Sequence, residues 1–346
     1  MRKLVIILVT LCIIISPVEA MEFSAPTVPD NAEMYMPKES TTFGEDLWYI
    51  VKSALRHLQP NLSEALGVCA SLVAVIILVS ILRSFTGIAK GTVDLVCTLS
   101  ISLLLIKPSN SLIQLGVQTV EQLTEYGKLF VPVMTAAMAA EGGITTSAAL
   151  YTGTIAFNAL LSALISKLII PLIYIYIVLC IASRTIPENI LEKFRDFIKW
   201  LMTWCLKISI YLFTGYLSIT GVVSGTADAS AIKATKLAFS GFVPVVGNII
   251  SDASESVLIS AAVMKNSAGI YGLLAILAIW ISPFLQIGIR YVLLKITASA
   301  CSIFGSKESV GLIMDFSGVM GFILAITGTV CLLLLISAVC FMKGVS

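Results

Sequence analysis

Ionisable side chains set among apolar runs are where this sequence could do chemistry. Lys90 and Asp94 stand four apart inside the apolar stretch 87–106. On a helix they share a face and can neutralise one another. Such a pair inside a membrane could carry an ion or proton step, because isolated charges there are costly. It could equally be structural, with Lys90 reaching back to the boundary near Arg83. Glu141, Asp252 and Glu255 follow closely behind Pro132 and Pro244. A proline within a helix removes a backbone donor and strands a carbonyl. A break of that kind, flanked by carboxylates, could line a polar path where protein or water covers it. The plainer alternative leaves the three carboxylates solvated at the membrane surface.

Other chemistries lack their residues. His57 is the single histidine, and it lies in a polar stretch. A Ser-His-Asp triad or an HExxH zinc site would each need a histidine at the reacting centre. The eight cysteines all sit in apolar runs with no CxxC pair, where cysteine behaves as a small hydrophobe. No Gly-rich phosphate loop is present, so nucleotide energy would have to come from a partner. We therefore expect no catalytic residues, no cofactor and no metal, and no basic run points to nucleic acid.

The elements that position these residues are spans. The chain has 346 residues, 58% hydrophobic and only 12% charged, where soluble domains carry roughly 25% charged residues. Met1-Arg-Lys3, an apolar core and Val18-Glu-Ala20 form a signal-peptide pattern over 1–20, with cleavage after Ala20 or retention as an anchor. Residues 21–65 are polar and acidic, which suits an extracytoplasmic segment; 21–42 read as flexible. Leu47, Trp48, Val51, Ala54, Leu55 and Leu58 then mark one face of an amphipathic helix. Apolar stretches follow at 66–82, 87–106, 147–182, 206–223, 268–294 and 316–340, with Lys107-Pro-Ser-Asn110 as a break after the second. Residues 183–207 carry basic and aromatic residues and read as a cytoplasmic interfacial helix. The fold class is thus an all-α polytopic membrane protein of about six spans with two proline-broken segments.

Phe130-Val-Pro-Val133 and Phe242-Val-Pro-Val245 are identical, and the next prolines, Pro171 and Pro283, each follow 39 residues after Pro132 and Pro244. The offset between copies is 112 throughout, and Ala149/Ala261, Ile169/Ile281 and Thr185/Thr297 also match. This pattern suggests an internal repeat, with 66–128 ahead of it, 129–223 as the first unit and 241–340 as the second. The repeated segments could re-enter, giving parallel copies, or cross fully, giving inverted ones. Basic loops at 183–207 and 290–308 favour re-entry, with both loops in the cytoplasm and both mature ends outside; Lys343 argues mildly against an outer C-terminus.

The run from Gly221 onward is distinctive. Gly221-Val-Val-Ser-Gly-Thr-Ala-Asp228, Lys233-Ala-Thr-Lys236, Gly241-Phe-Val-Pro-Val-Val-Gly247, Asp252-Ala-Ser-Glu-Ser-Val257 and Lys265-Asn-Ser-Ala-Gly269 resemble the stage III sporulation protein AE family. The resemblance takes in the multi-span C-terminal two thirds. It implies a protein of endospore-forming bacteria in the plasma membrane, specifically the mother-cell membrane around the forespore. It also implies a role as a subunit of a channel or secretion-like complex with other membrane subunits, needed for forespore development. No catalytic residue carries over from it. The alternative, a self-contained secondary transporter or channel, would use the broken segments and the Lys90/Asp94 pair.

Overall fold

The computed structural model describes the backbone of residues 26–37, 42–85, 90–185, 189–242 and 247–343, and their side chains except those of 84–85, 90, 189, 218–242, 247–265 and 343. Every regular element among these residues is helical: α1 (Asp30–Glu33), α2 (Phe43–Arg56), α3 (Gln59–Phe85), α4 (Lys90–Ala140), α5 (Ile144–Leu164), α6 (Ile170–Thr185), α7 (Asn189–Phe242), α8 (Gly247–Cys301) and α9 (Lys307–Lys343). A π-helical turn, Ile165–Ile169, joins α5 to α6. Six stretches are long and apolar enough to cross a membrane: Gln59–Arg83, Gly91–Ala140, Ile144–Thr185, Ile190–Leu217, Asn266–Cys301 and Lys307–Met342. They correspond one for one to the six expected spans. In hydrocarbon each backbone N–H and C=O must be satisfied within the segment, and these sequences meet that demand as helix. At 1.5 Å per residue α4 is about 77 Å long, well beyond a hydrocarbon core of about 30 Å, so it tilts strongly or continues past the bilayer.

The bundle is built around α9. It packs against α4, α5, α6, α7 and α8, and 61% of its most apolar stretch is buried, against 28–44% for the other five spans. Small residues let it and its neighbours approach. A Cβ at Gly116 of α4 would lie 2.3 Å from the Ile323 side chain, and one at Gly272 of α8 would lie 2.0 Å from the Phe130 ring. Gly153 of α5 is filled in the same way by the Tyr216 ring of α7, whose hydroxyl donates to the Ala149 carbonyl at 2.9 Å. Ser317 of α9 donates to the Tyr291 carbonyl of α8 at 3.1 Å. Small-to-large interdigitation is the usual source of helix association where lipid offers no hydrophobic gradient.

Three expectations about prolines and linkers are corrected. Helix α4 runs without interruption through both Pro108 and Pro132, so neither Lys107-Pro-Ser-Asn110 nor the first Phe-Val-Pro-Val breaks the chain. Pro132 itself is exposed while Phe130, Val131 and Met134 are buried; packing of that face holds the helix through the one missing donor. The chain reverses eleven to thirteen residues after Phe130, at Glu141-Gly-Gly143. There Gly142 adopts φ 97°, its N–H bonds to the Ala139 carbonyl, and the Gly143 N–H bonds to Met138. This is a Schellman end with Glu141 as C-cap, and it satisfies carbonyls that a helix terminus otherwise leaves open. Position for position in the second copy the reversal falls at 253–255, inside α8. The units therefore differ in where their helices end. Pro171 follows the π-helical turn, where the Ile170 N–H reaches the Ile165 carbonyl; that turn absorbs the donor the proline lacks.

The basic, aromatic segment expected to lie along the interface as a separate helix is instead the start of α7, continuous with the following span. At the other end of the sequence, residues 26–37 pack rather than read as loose chain. Val28, Ala32, Tyr35 and Met36 are buried, and the Tyr35 hydroxyl meets Ser282 Oγ of α8 at 3.1 Å. Helix α2 is amphipathic as expected, and Thr42 caps its start by accepting from the Glu45 N–H. Its buried face centres on Ile50, Ala54 and the following Leu58, whereas Trp48 and Leu55 face outward. The predicted signal peptide and Pro244 lie outside the described residues.

Candidate functional site

Asp315 sits two turns into α9, in an otherwise apolar sequence, and two arginines converge on it. Arg184, at the end of α6, donates from Nε and Nη2 to Asp315 Oδ2 at 3.1 and 3.0 Å. Arg195, two turns into α7, donates from Nη1 to the same oxygen at 3.4 Å. Gly311 precedes Asp315 by four residues, on the same face of α9. A Cβ there would fall 2.6 Å from Arg184 Cζ, so the glycine is the slot through which the guanidinium reaches the carboxylate. Arg195 also binds Asp196 Oδ1 at 3.0 Å through Nη2, and Glu192 stands 3.9 Å from both arginines. The three central side chains are 10–20% exposed. Desolvating charges to this degree is favourable only when each finds partners, and the cluster supplies them. It ties α6, α7 and α9 at one point.

The sequence-selected residues are scattered rather than gathered. Asp94 of α4 pairs with Arg83 of α3; the Lys90 side chain lies outside the described residues. Pro132 is within α4, and Glu141 is the half-exposed C-cap at its end. Asp252 and Glu255 lie on α8, with side chains outside the described set. His57 closes α2, with its Nδ1 2.8 Å from the Ser53 carbonyl oxygen and its ring edge-on to Tyr35 at 5.8 Å. Among the described residues no group of His, Cys, Asp or Glu is placed to hold a metal ion.

Sequence reasoning missed Asp315 and, with it, the cluster. The signal was there: a lone carboxylate at the head of the last apolar run, and intramembrane charges are rare enough to demand a partner. A separate ion pair joins Arg290 of α8 to Glu64 of α3 at 3.4 Å. It borders a polar cleft of about 410 Å³ between α3, α4 and α8, to which Asn61, Gln114, Gln118 and Gln286 contribute.

The fold and these interhelical ion pairs define a helical multi-pass membrane protein. The family model described as stage III sporulation protein AE matches residues 32–344. The chain belongs to that family, and it is a multi-pass membrane protein in a sporulation context. It is similar to the stage III sporulation protein AE of Bacillus subtilis (strain 168), with 24% identity over 176 residues. That match covers 51% of this chain and 44% of the relative, so it spans less than half of the relative's length. No solved structure matches the chain.

Proposed function

We propose that this chain is a non-enzymatic membrane subunit of a trans-envelope channel or secretion-like complex between mother cell and forespore, needed for forespore development. It would sit in the mother-cell membrane that surrounds the forespore, beside other membrane subunits of the same complex. The observation that carries this reading is the outer face of α7. Phe194, Phe197, Trp200 and Trp204 form a continuous ladder of rings, with centroids 6.4, 6.0 and 6.0 Å apart and planes within 22–27° of parallel. All four rings are exposed, while Arg195, Ile198 and Met202 on the opposite face close the bundle. Large aromatics presented as a row are the residue types that anchor protein interfaces, and they extend beyond what this chain needs for its own packing. The orientation that goes with this reading places the basic segment 183–207 in the cytoplasm; residues 290–301, expected within a second basic loop, are instead part of α8, with Arg290 beside Glu64.

Co-purification from membranes of sporulating cells tests the reading. The intact chain should bring down other membrane proteins of the complex, and Trp200→Ala combined with Trp204→Ala should release them while the bundle stays folded. Recovery of this chain alone, together with ionic current after reconstitution into planar bilayers, would overturn it in favour of a self-contained channel or transporter. The polar cleft beside Arg290 is the feature that keeps that second reading in view. A reporter fused after Ser346 and active only in the cytoplasm would reject the outward C-terminus.

A further inference from the structure

The cleft between α3, α4 and α8 contains an arginine whose hydrogen-bonding capacity is only half used. The Arg290 side chain is 8% exposed, inside a spanning helix. Its Nη2 meets Glu64 Oε1 at 3.4 Å, whereas its Nη1 is buried without an acceptor among the described residues. Glu64 is a loose partner, because its own side chain is 69% exposed. A buried guanidinium with an idle nitrogen is expensive, and such a group in a span points to an absent acceptor.

The remaining polar residues of the lining are neutral and can donate. Gln114 donates one N–H to the Tyr174 hydroxyl at 3.3 Å, and Gln286 donates one to Ser282 Oγ at 3.1 Å. Each amide carries a second N–H, as does Gln118 beside them. Glu64 is the single acidic group of the lining. On α3 and α4 composition marks the level of the cleft. The apolar run of α3 starts directly after Glu64, and that of α4 ends at Ile106, just before the cleft residues Pro108 to Gln118. Both helices change from apolar to polar here, as spans do at the headgroup boundary. The volume, about 410 Å³, is in the ordinary range for ligand sites.

We propose that this cleft binds a phosphate oxyanion, with Arg290 as its charged anchor and the spare amide N–H groups of Gln114, Gln118 and Gln286 as neutral donors. Glu64 competes for Arg290 when the site is empty and swings to solvent when it is filled. The oxyanion comes either from a phospholipid headgroup at the boundary or from free phosphate, and the experiment separates the two.

The full chain in neutral detergent micelles is heated in the presence of increasing phosphatidylglycerol, inorganic phosphate or diacylglycerol, and the unfolding temperature is followed. Phosphatidylglycerol should raise it saturably, and Arg290→Gln should raise the required concentration about tenfold or more, the scale of one lost charge-assisted bond. Glu64→Gln should lower that concentration, and Lys52→Gln, an exposed charge on α2, should leave it unchanged. An equivalent Arg290-dependent shift with inorganic phosphate assigns the site to the free anion; a shift with the lipid alone assigns it to the headgroup. If Arg290→Gln fails to fold, the Glu64→Gln titration decides. The proposal is overturned if neither phosphate probe shifts the transition, if diacylglycerol acts as well as phosphatidylglycerol, or if Glu64→Gln binds no more tightly than the unsubstituted chain.

Discussion

Replacing Asp315 by asparagine should open the joint between α6, α7 and α9 without dismantling the bundle. Asp315 Oδ2 accepts from Arg184 at 3.0 and 3.1 Å and from Arg195 at 3.4 Å, with all three side chains largely buried. Removing one partner from a buried ion pair costs about 3–5 kcal/mol. Arg195 keeps Asp196 at 3.0 Å, and asparagine keeps an acceptor oxygen, so the lower end of that range, about 3 kcal/mol, is expected. That is roughly a hundredfold rise in the open fraction, at a factor of ten per 1.4 kcal/mol. Cys180 reports it: the thiol is buried, one turn ahead of Arg184 on α6. Maleimide labelling in native membranes, resolved by peptide mass spectrometry, should show Cys180 reacting about a hundredfold faster than in the unsubstituted protein. Cys331, buried farther along α9, should stay protected. The paired replacement Arg184→Met with Asp315→Leu removes both charges together and should restore protection of Cys180. Unchanged labelling of Cys180 in Asp315→Asn, or equal exposure of Cys331, would refute the view of this cluster as a local lock.

The glycine contacts give a paired test by thermal unfolding in detergent. Gly272→Ala should destabilise by about 1–3 kcal/mol, because its methyl would land on the buried Phe130 ring, whereas Gly328→Ala meets nothing within 4 Å and should stabilise by about 0.5–1 kcal/mol. Pro132→Ala should raise the unfolding temperature, since the exposed ring leaves no void and the Lys128 carbonyl regains its donor, a gain of up to about 3 kcal/mol; a large loss would mean that the proline shapes α4 in a way continuity does not convey. Gly142→Ala should cost about 1–2 kcal/mol at its φ of 97°, seen as a lower transition temperature with the rest of the profile intact.

The spans were legible because their signal is summed over twenty or more residues, and single errors wash out. All six appear where apolar runs were read, from the first ahead of Arg83 to the last behind Asp315. Local rules fared worse where packing overrides them. Pro108 and Pro132 both sit inside one helix, since a single lost donor weighs little against a buried face that includes Phe130 and Met134. The α2 face was rotated because Ile50 was left out of the pattern, and Ile50 proves to be its centre. Pairing across the bundle was least visible. Asp94 has a plausible neighbour at Lys90, and sequence spacing has no access to Arg83 on another helix. Asp315 and its two arginines are 120 or more residues apart, and only the fold brings them together.

The central position of α9 bears on how the protein is made. It follows the other five spans in chain order, yet it packs against four of them and is the most buried of the six. During synthesis those four enter the bilayer with their shared surface unfilled, and the guanidiniums of Arg184 and Arg195 lack the carboxylate that α9 brings. The packing of this bundle is therefore completed only when its most buried helix arrives. A chain released before residue 315 would expose apolar grooves and leave Arg184 and Arg195 without their shared carboxylate, a combination that membrane quality-control proteases and unrelated helices can both recognise. The window between insertion of α8 and docking of α9 is then the vulnerable period in the life of the protein, and a partner subunit that covers the grooves during it would act as an assembly factor as well as a neighbour.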